Sequence, residues 1–347
     1  MKRRTMVGRV ASDAADERGD RMNQRRRWML ALGAVLSSPA GLSRAQTAVS
    51  AMRRVGVLAP STHANEEVTL KPFFDQMRQL GWIEGQTVVY DRAYADDQQQ
   101  LLPRLAAELV ARKPQLIYAP PTPAAVAARR ATDTIPIVFG AVGDPVGAGL
   151  VTSLARPGGN VTGLCVLAET LAPKRIQLLR EILPNMKRLA WLADASDNSE
   201  YRSFEPLAAG LGVTVIFAEA ANPQAVEAAM GRLLSERADA IYIGPGPLLY
   251  NMRARIVELA NQKRLPVISP RAQYADAGAV FTYGASLGDQ LRRSAFAVDK
   301  ILRGAKPADI PVEQATLFDL VVNLRAAKSL GITIPRTMLL RADRVIE

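Results

Sequence analysis

The sequence predicts an α/β fold built as two doubly wound parallel-sheet lobes with a hinge, and three observations point to it. First, four blocks of the first half return in the same order in the second. Arg54-Val-Gly-Val-Leu-Ala59 recurs as Arg188-Leu-Ala-Trp-Leu-Ala193, and Leu80-Gly81 before Thr87-Val-Val-Tyr90 recurs as Leu211-Gly212 before Val213-Thr-Val-Ile216. Leu116-Ile-Tyr-Ala-Pro120 returns as Ala240-Ile-Tyr-Ile-Gly244, and Ile135-Pro-Ile-Val-Phe139 as Leu265-Pro-Val-Ile-Ser269, at an offset of 124 to 134 residues. Second, a helix-length segment separates each apolar block from the next, which is the alternation of a parallel sheet. Third, 347 residues exceed what one core usually holds, so two domains are expected.

Taken in order, the run 54–59 ends in turn residues and reads as a strand. Val68, Phe73 or Phe74, Met77 and Leu80 then recur at helical spacing, which predicts one helix over 66–80. A strand over 87–94, a helix over 98–113 and a strand over 116–119 follow. Pro123 suits a first helical turn, where its missing N–H would lack a partner anyway. Strand 137–139 comes next, and after Arg156-Pro-Gly-Gly-Asn160 strand 161–166 leads toward the second half. That half repeats the order with strands 188–193, 213–218, 240–243 and 266–268 and helices 198–211, 223–237 and 249–263. Strand 280–282, helix 287–303, a Pro-containing linker 307–311, strand 318–322 and helix 324–330 close the chain. Lobe 1 is expected to hold 46–165 plus 279–310, and lobe 2 to hold 166–278 plus 311–347. The crossovers near 165–172, 270–279 and 304–316 are the hinge candidates.

The formal charge of +11 resembles a nucleic-acid footprint until its location is examined. Residues 1–45 hold ten Lys/Arg against four Asp/Glu, which leaves 34 against 29 in the rest, with no basic stripe interleaved with aromatics. A DNA or RNA surface is therefore not expected. The basic leader has another reading. Arg25-Arg26-Arg27 precedes nine apolar residues, Trp28 to Leu36, and then Ser43-Arg44-Ala45, the three parts of a secretory signal peptide cleaved near Ala45. Nine residues are too few to span a bilayer. The arginines suit export by either the twin-arginine or the general secretory route, and Met22 would start a leader of ordinary length. The mature chain is expected to be a soluble, periplasmic monomer. The lone cysteine, Cys165, excludes an intrachain disulfide and reads as a small buried hydrophobe.

In doubly wound sheets ligands bind beyond the carboxyl ends of the strands, where loops expose N–H groups and helix N-termini. In the first half those loops are Pro60 to His63, Ala95-Asp96, Pro120 to Thr122 and Gly140 to Asp144. In the second they are Asp194 to Asn198, Gly244 to Gly246 and Ser269 to Arg271, with Gln273 and Tyr274 beyond. Ser, Thr and Asn there also serve as plain helix caps, but they recur after strand after strand in both halves.

Several segments carry a family resemblance. Ile135-Pro-Ile-Val-Phe139, Gly143-Asp144-Pro145, Gly149-Leu150-Val151 and Ser153-Leu-Ala-Arg-Pro157-Gly-Gly-Asn-Val-Thr-Gly163 are among them. So are Tyr283-Gly284, Gly304 to Pro311, Val322 to Ala327 and the closing Arg341 to Glu347. Over about residues 53–347 the chain resembles ABC-transporter substrate-binding proteins of the tryptophan/tyrosine-binding type, in the type I periplasmic binding protein superfamily. The resemblance implies two lobes closing on a small, often amino-acid-like solute for delivery to a membrane permease. It places ligand contacts on Ser61, Thr62, Thr122, Asp144, Ser196, Asp197, Asn198, Tyr274 and Tyr283.

Enzyme chemistry is hard to find. His63 is the single histidine and lies far in sequence from the single cysteine, Cys165, so a His/Cys metal cluster cannot be built and a Cys–His nucleophile pair is not expected. No phosphate-binding Gly-x-x-x-x-Gly-Lys-Ser/Thr loop occurs, and Asp96-Asp97 is adjacent in an extended segment, so the two carboxylates point apart. No cofactor and no metal are expected. A sensor subunit and an α/β enzyme stand as alternatives to an importer's binding protein. Asp144 or Asp197 could pair with a ligand ammonium, hydroxyls and helix N–H groups could hold a carboxylate, and Tyr274 and Tyr283 would line a side-chain pocket.

Overall fold

The computed structural model describes residues 52–166 and 168–347, so the expected signal peptide lies outside the described residues. The first half builds strands β1 (Arg53–Ala59), β2 (Val88–Tyr94), β3 (Leu116–Tyr118), β4 (Ile137–Val142) and β5 (Val161–Cys165). The second builds β6 (Arg188–Asp194), β7 (Thr214–Ala220), β8 (Ala240–Ile243), β9 (Val267–Ser269) and β10 (Phe281–Ala285). Then come β11 (Glu313–Gln314), β12 (Phe318–Asn323) and β13 (Arg344–Ile346). Two sheets result, ordered β11-β5-β4-β3-β1-β2 and β13-β12-β10-β9-β8-β6-β7.

The internal repeat is reproduced in the register. Strand β1 pairs with β2 in parallel from Arg53/Val88 to Ala59/Tyr94, and β6 pairs with β7 from Arg188/Thr214 to Asp194/Ala220. All ladders are parallel except β10 with β12. Parallel sheets are covered on both faces, which is why these strands read as near-continuous apolar runs. Val55 and Val57 join the cluster under helices Lys71–Gln79 and Leu287–Leu302, while Leu58 joins the one under Leu102–Ala111 and Thr122–Ala131. Likewise Leu189 and Trp191 face helices Ala172–Ile182 and Ser199–Gly210, and Ala190 and Leu192 face Pro223–Ser235 and Arg253–Gln262.

Three departures from the sequence expectation have physical causes. The single helix expected over 66–80 is two, His63–Thr69 and Lys71–Gln79, because Pro72 cannot donate to the preceding turn and instead opens a new helix. The stretch 249–263 likewise divides into Pro247–Asn251 and Arg253–Gln262. The crossings also move. Strand β10 pairs with β9 and β12 in the second sheet, so 281–285 stand there rather than in lobe 1, and β11 pairs with β5, so 313–314 stand in the first sheet rather than in lobe 2. An apolar run reads alike whichever sheet it joins, so spacing alone could not settle this. The chain passes between lobes after β5, after β10 and between β11 and β12.

Candidate functional site

Loops at the carboxyl ends of β1, β2, β3 and β4 face loops from β6, β8 and β9 across a cleft. Four hydrogen bonds cross it among the described residues. Asn251 Nδ2 donates to Ser61 Oγ at 2.7 Å and to Asp97 Oδ1 at 2.6 Å, and Thr122 Oγ1 donates to Asp197 Oδ2 at 3.2 Å. Gln99 Nε2 donates to Asp194 Oδ1 at 3.5 Å. The lobes are thus closed on each other. Asp96 and Asp97 both have left-handed backbone, with φ of 48° and 62°, a region aspartate enters more readily than most residues. That turn brings the Asp97 carboxylate to Asn251.

The closed lobes enclose a cavity of about 100 Å³. A single water needs ~10–15 Å³ of such space, so the cavity is several times what one water requires and admits a small organic solute. Pro120, Pro121 and Pro123 line it from the first lobe, and Pro245, Pro247 and Pro270 from the second. Proline has no N–H and a fixed φ, so these walls are apolar and stiff without leaving donors unsatisfied. Gly246 sits among them at φ +138°, where a Cβ would meet the Asp194 side chain at 2.3 Å. Asp194 is wholly buried and organises this corner, accepting from Ser196 N–H at 3.0 Å, Ser196 Oγ at 2.6 Å and Leu248 N–H at 3.0 Å. Burial raises its carboxyl pKa, and these donors, Ser196 first, pull it back.

Charged groups on the cavity wall are few and unequal. In the second lobe the part-buried Arg271 guanidinium makes no hydrogen bond or ion pair among the described residues. Burial lowers its pKa, with Tyr250, Glu200 and Asp197 drawing it back up and Arg175 adding to the fall. Glu200 is 1% exposed, and its Oε1 accepts from Arg175 Nη1 and from the Tyr242 hydroxyl, while its Oε2 is buried with no partner. Burial pushes the Glu200 carboxyl up and Arg175 opposes that push. In the first lobe Glu66 is 6% exposed, and its Oε1 accepts from Ser61 N–H at 3.2 Å. Burial pushes its carboxyl up to about 7, against the Ser61 bond and with help from Asp97 and Glu67.

Of the residues expected at the site, Thr122 and Asp197 line the cavity and meet each other across it. Ser61 stands just behind, on the Asn251 bridge. Thr62 caps its helix by accepting from Asn65 N–H at 3.4 Å, and the Ser196 hydroxyl is bound to Asp194. Asn198 precedes helix Ser199–Gly210 without a side-chain cap bond and is not on the wall. Asp144 turns onto its own loop, accepting from Val146 N–H at 3.1 Å and Gly147 N–H at 2.8 Å, so its carboxylate does not reach the cavity. Tyr274 is buried in the second lobe with its hydroxyl donated to Leu249 O at 2.6 Å. Tyr283 packs on the second-lobe core, and what it offers is a carbonyl, which accepts from Arg175 Nε at 2.9 Å. His63 is exposed beside Glu67, and Cys165 is buried in β5.

Sequence reasoning missed Glu66, Glu200, Arg271, Tyr250 and Asn251 as wall or bridge residues. Arg271 stood in a loop named for its position, and the prolines were visible as turn residues. Glu66 and Glu200 carried no such signal, since an acid in a helix's first turn is ordinarily a dipole partner.

The model of a family described as "ABC transporter substrate binding protein" matches residues 54–346. The chain is similar to a protein named Tyrosine-binding protein from Clostridioides difficile, 26% identical over 281 residues, 80% of this chain and 81% of that protein. Among solved structures it is similar to a conserved domain protein from Vibrio cholerae, with 31% identity and a TM-score of 0.79 over 85% of this chain and 99% of that one. It is also similar to an ABC domain from Streptococcus pneumonia solved in complex with L-Trp, with 26% identity and a TM-score of 0.78 over 85% of this chain and all of that one.

Proposed function

This chain belongs to the family of ABC transporter substrate-binding proteins, and from that premise we propose that its cavity captures a free amino acid with an apolar or aromatic side chain. Family membership makes it the extracytoplasmic partner of a membrane permease and the carrier of a small molecule. One observation carries the choice of ligand. Arg271 and the Oε2 of Glu200, a cation and an anionic acceptor with no partners of their own, stand on one wall within each other's electrostatic reach. A zwitterion satisfies both at once, its carboxylate on Arg271 and its ammonium on Glu200. The proline walls, with Leu70, Leu287, Leu291 and Tyr250, suit an apolar remainder. That a relative is named for tyrosine and a solved neighbour holds L-Trp supports the same class.

The function is binding followed by release, with no reaction. Export by a leader cleaved near Ala45, a periplasmic location and action as a monomer complete the proposal. The test is calorimetric titration with L-tyrosine and L-tryptophan. Arg271→Met is expected to weaken binding of the preferred amino acid by about 2–5 kcal/mol, the range for truncating one partner of a buried charge pair. Unchanged affinity would remove the carboxylate from Arg271.

A further inference from the structure

We propose that Glu66 reads the far end of the ligand, selecting a side chain that carries an N–H or O–H donor over an isosteric one that carries none. This rests on the amino-acid reading of the cavity. If Arg271 and Glu200 hold the head group in the second lobe, the side chain points at the first lobe, where Glu66 is the one charged group on the wall among the described residues. Glu66 is more than nine-tenths buried, and its single hydrogen bond ties Oε1 to Ser61 N–H, which fixes the carboxylate's orientation. Oε2 has no partner among the described residues. Oε2 keeps some accessible surface, and a bound ligand that covers it without supplying a donor leaves the acceptor unsatisfied, so a ligand that supplies the donor gains where its isostere does not.

The groups around Glu66 leave this role open to it. On its own helix Glu67 is engaged by Arg92, and beyond β2 Asp97 is held by Asn251. Tyr94 from β2 donates to Glu67, and the Tyr118 hydroxyl from β3 is paired with Ser294 of helix Leu287–Leu302. Across the cavity, Asp197 is bound by Thr122, and Glu200 and Arg271 face the head group. No cation pairs with Glu66 among the described residues, which agrees with its carboxyl being pushed up to about 7 by burial.

Protonation then gives the inference a signature that a structural role would not produce. A ligand donor favours the ionised carboxylate and lowers its pKa, so affinity for a donor-bearing ligand rises with pH below about 7 and levels off above it. A ligand without a donor removes the remaining water from the carboxylate and favours its neutral form. Its affinity is level below about 7 and falls above it.

Two ligand pairs test this, L-tyrosine with L-phenylalanine and L-tryptophan with its benzothienyl analogue, titrated calorimetrically between pH 5.5 and 8.5. The wild type is expected to prefer the donor-bearing member by about 10- to 100-fold above pH 7, with opposite pH slopes within a pair. Glu66→Leu should abolish the preference while binding of L-phenylalanine persists, and Glu66→Gln should keep part of the preference without pH dependence. Should Glu66→Leu not fold, the opposite slopes of the wild type decide alone. Equal, parallel profiles in both pairs would overturn the role of Glu66 and leave the head-group site standing. Failure of all four compounds to bind would overturn the amino-acid reading and this inference with it.

Discussion

The two lobes carry the same tyrosine at the same place and use it differently. Tyr118 of β3 and Tyr242 of β8 occupy equivalent positions in the repeat. Each is wholly buried against an aromatic neighbour, Phe73 at 3.8 Å and Trp191 at 4.1 Å between ring centroids. In the first lobe the hydroxyl pairs with the neutral Ser294 at 2.8 Å. In the second it donates to Glu200, which also holds Arg175, which in turn holds the carbonyl of Tyr283 in β10. The packing is therefore common to the two lobes, while the second lobe has a buried ionic network beneath the cavity wall. The first lobe remained a stiff, apolar cap with one acid. The half whose core carries charge is thus the half on which the proposed head-group site falls. The same network reaches the strand from which the chain crosses back to the first lobe, so the wall and the hinge share one support.

The largest expected effect breaks that network. Arg175→Met strands the Glu200 carboxylate in the core, and loss of one partner of a buried pair costs about 3–5 kcal/mol. Urea unfolding at pH 7 should show this fall, and the loss should shrink at lower pH as Glu200 takes up a proton. The sign follows from the raised carboxyl pKa: removing the cation raises it further, so the neutral form relieves the mutant first. Full stability at pH 7 would mean that the network is idle. The mirror change, Tyr118→Phe in the first lobe, removes only a neutral bond and should cost about 1 kcal/mol in the same measurement.

A smaller effect concerns what holds the lobes together rather than what distinguishes them. Asn251→Ala removes two of the four cross-lobe hydrogen bonds among the described residues and touches neither Arg271 nor the Oε2 of Glu200. With each bond worth about 0.5–1.5 kcal/mol, the closed form should lose about 1–3 kcal/mol. Small-angle scattering of the ligand-free variant should then show a larger radius of gyration than the wild type. Identical curves would mean that closure does not depend on this bridge.

The fold was legible because its signal is local and repeated. Short strands of three to seven residues, each alternating with helix, appear twice in one order, and the matched registers of β1 with β2 and β6 with β7 follow from that. What spacing could not show was partnership across sequence. Whether Phe281–Ala285 joins the first sheet or the second depends on β9 and β12, not on its own residues. The site was legible as a set of loops and only partly as residues. Thr122 and Asp197 were read from loop position and do face the cavity. Asp144 satisfies its own turn, and Tyr274 is consumed by a carbonyl far along the chain, which no local pattern reveals. Glu200 and Glu66 look in the sequence like first-turn acids of exposed helices, and only the folded chain shows them buried, Glu200 with Arg175 and Tyr242 and Glu66 on Ser61 N–H.

The division of labour between the lobes is tested most directly by titrating the wild type with L-tyrosine, N-acetyl-L-tyrosine and L-tyrosinamide under one set of conditions. Acetylation removes the ammonium that Glu200 is expected to receive, and amidation removes the carboxylate expected on Arg271. Each blocked compound should bind at least about tenfold more weakly than the free amino acid, because each leaves one buried charge of the second lobe without its partner. Equal affinity for all three compounds would contradict a head-group site on the second lobe.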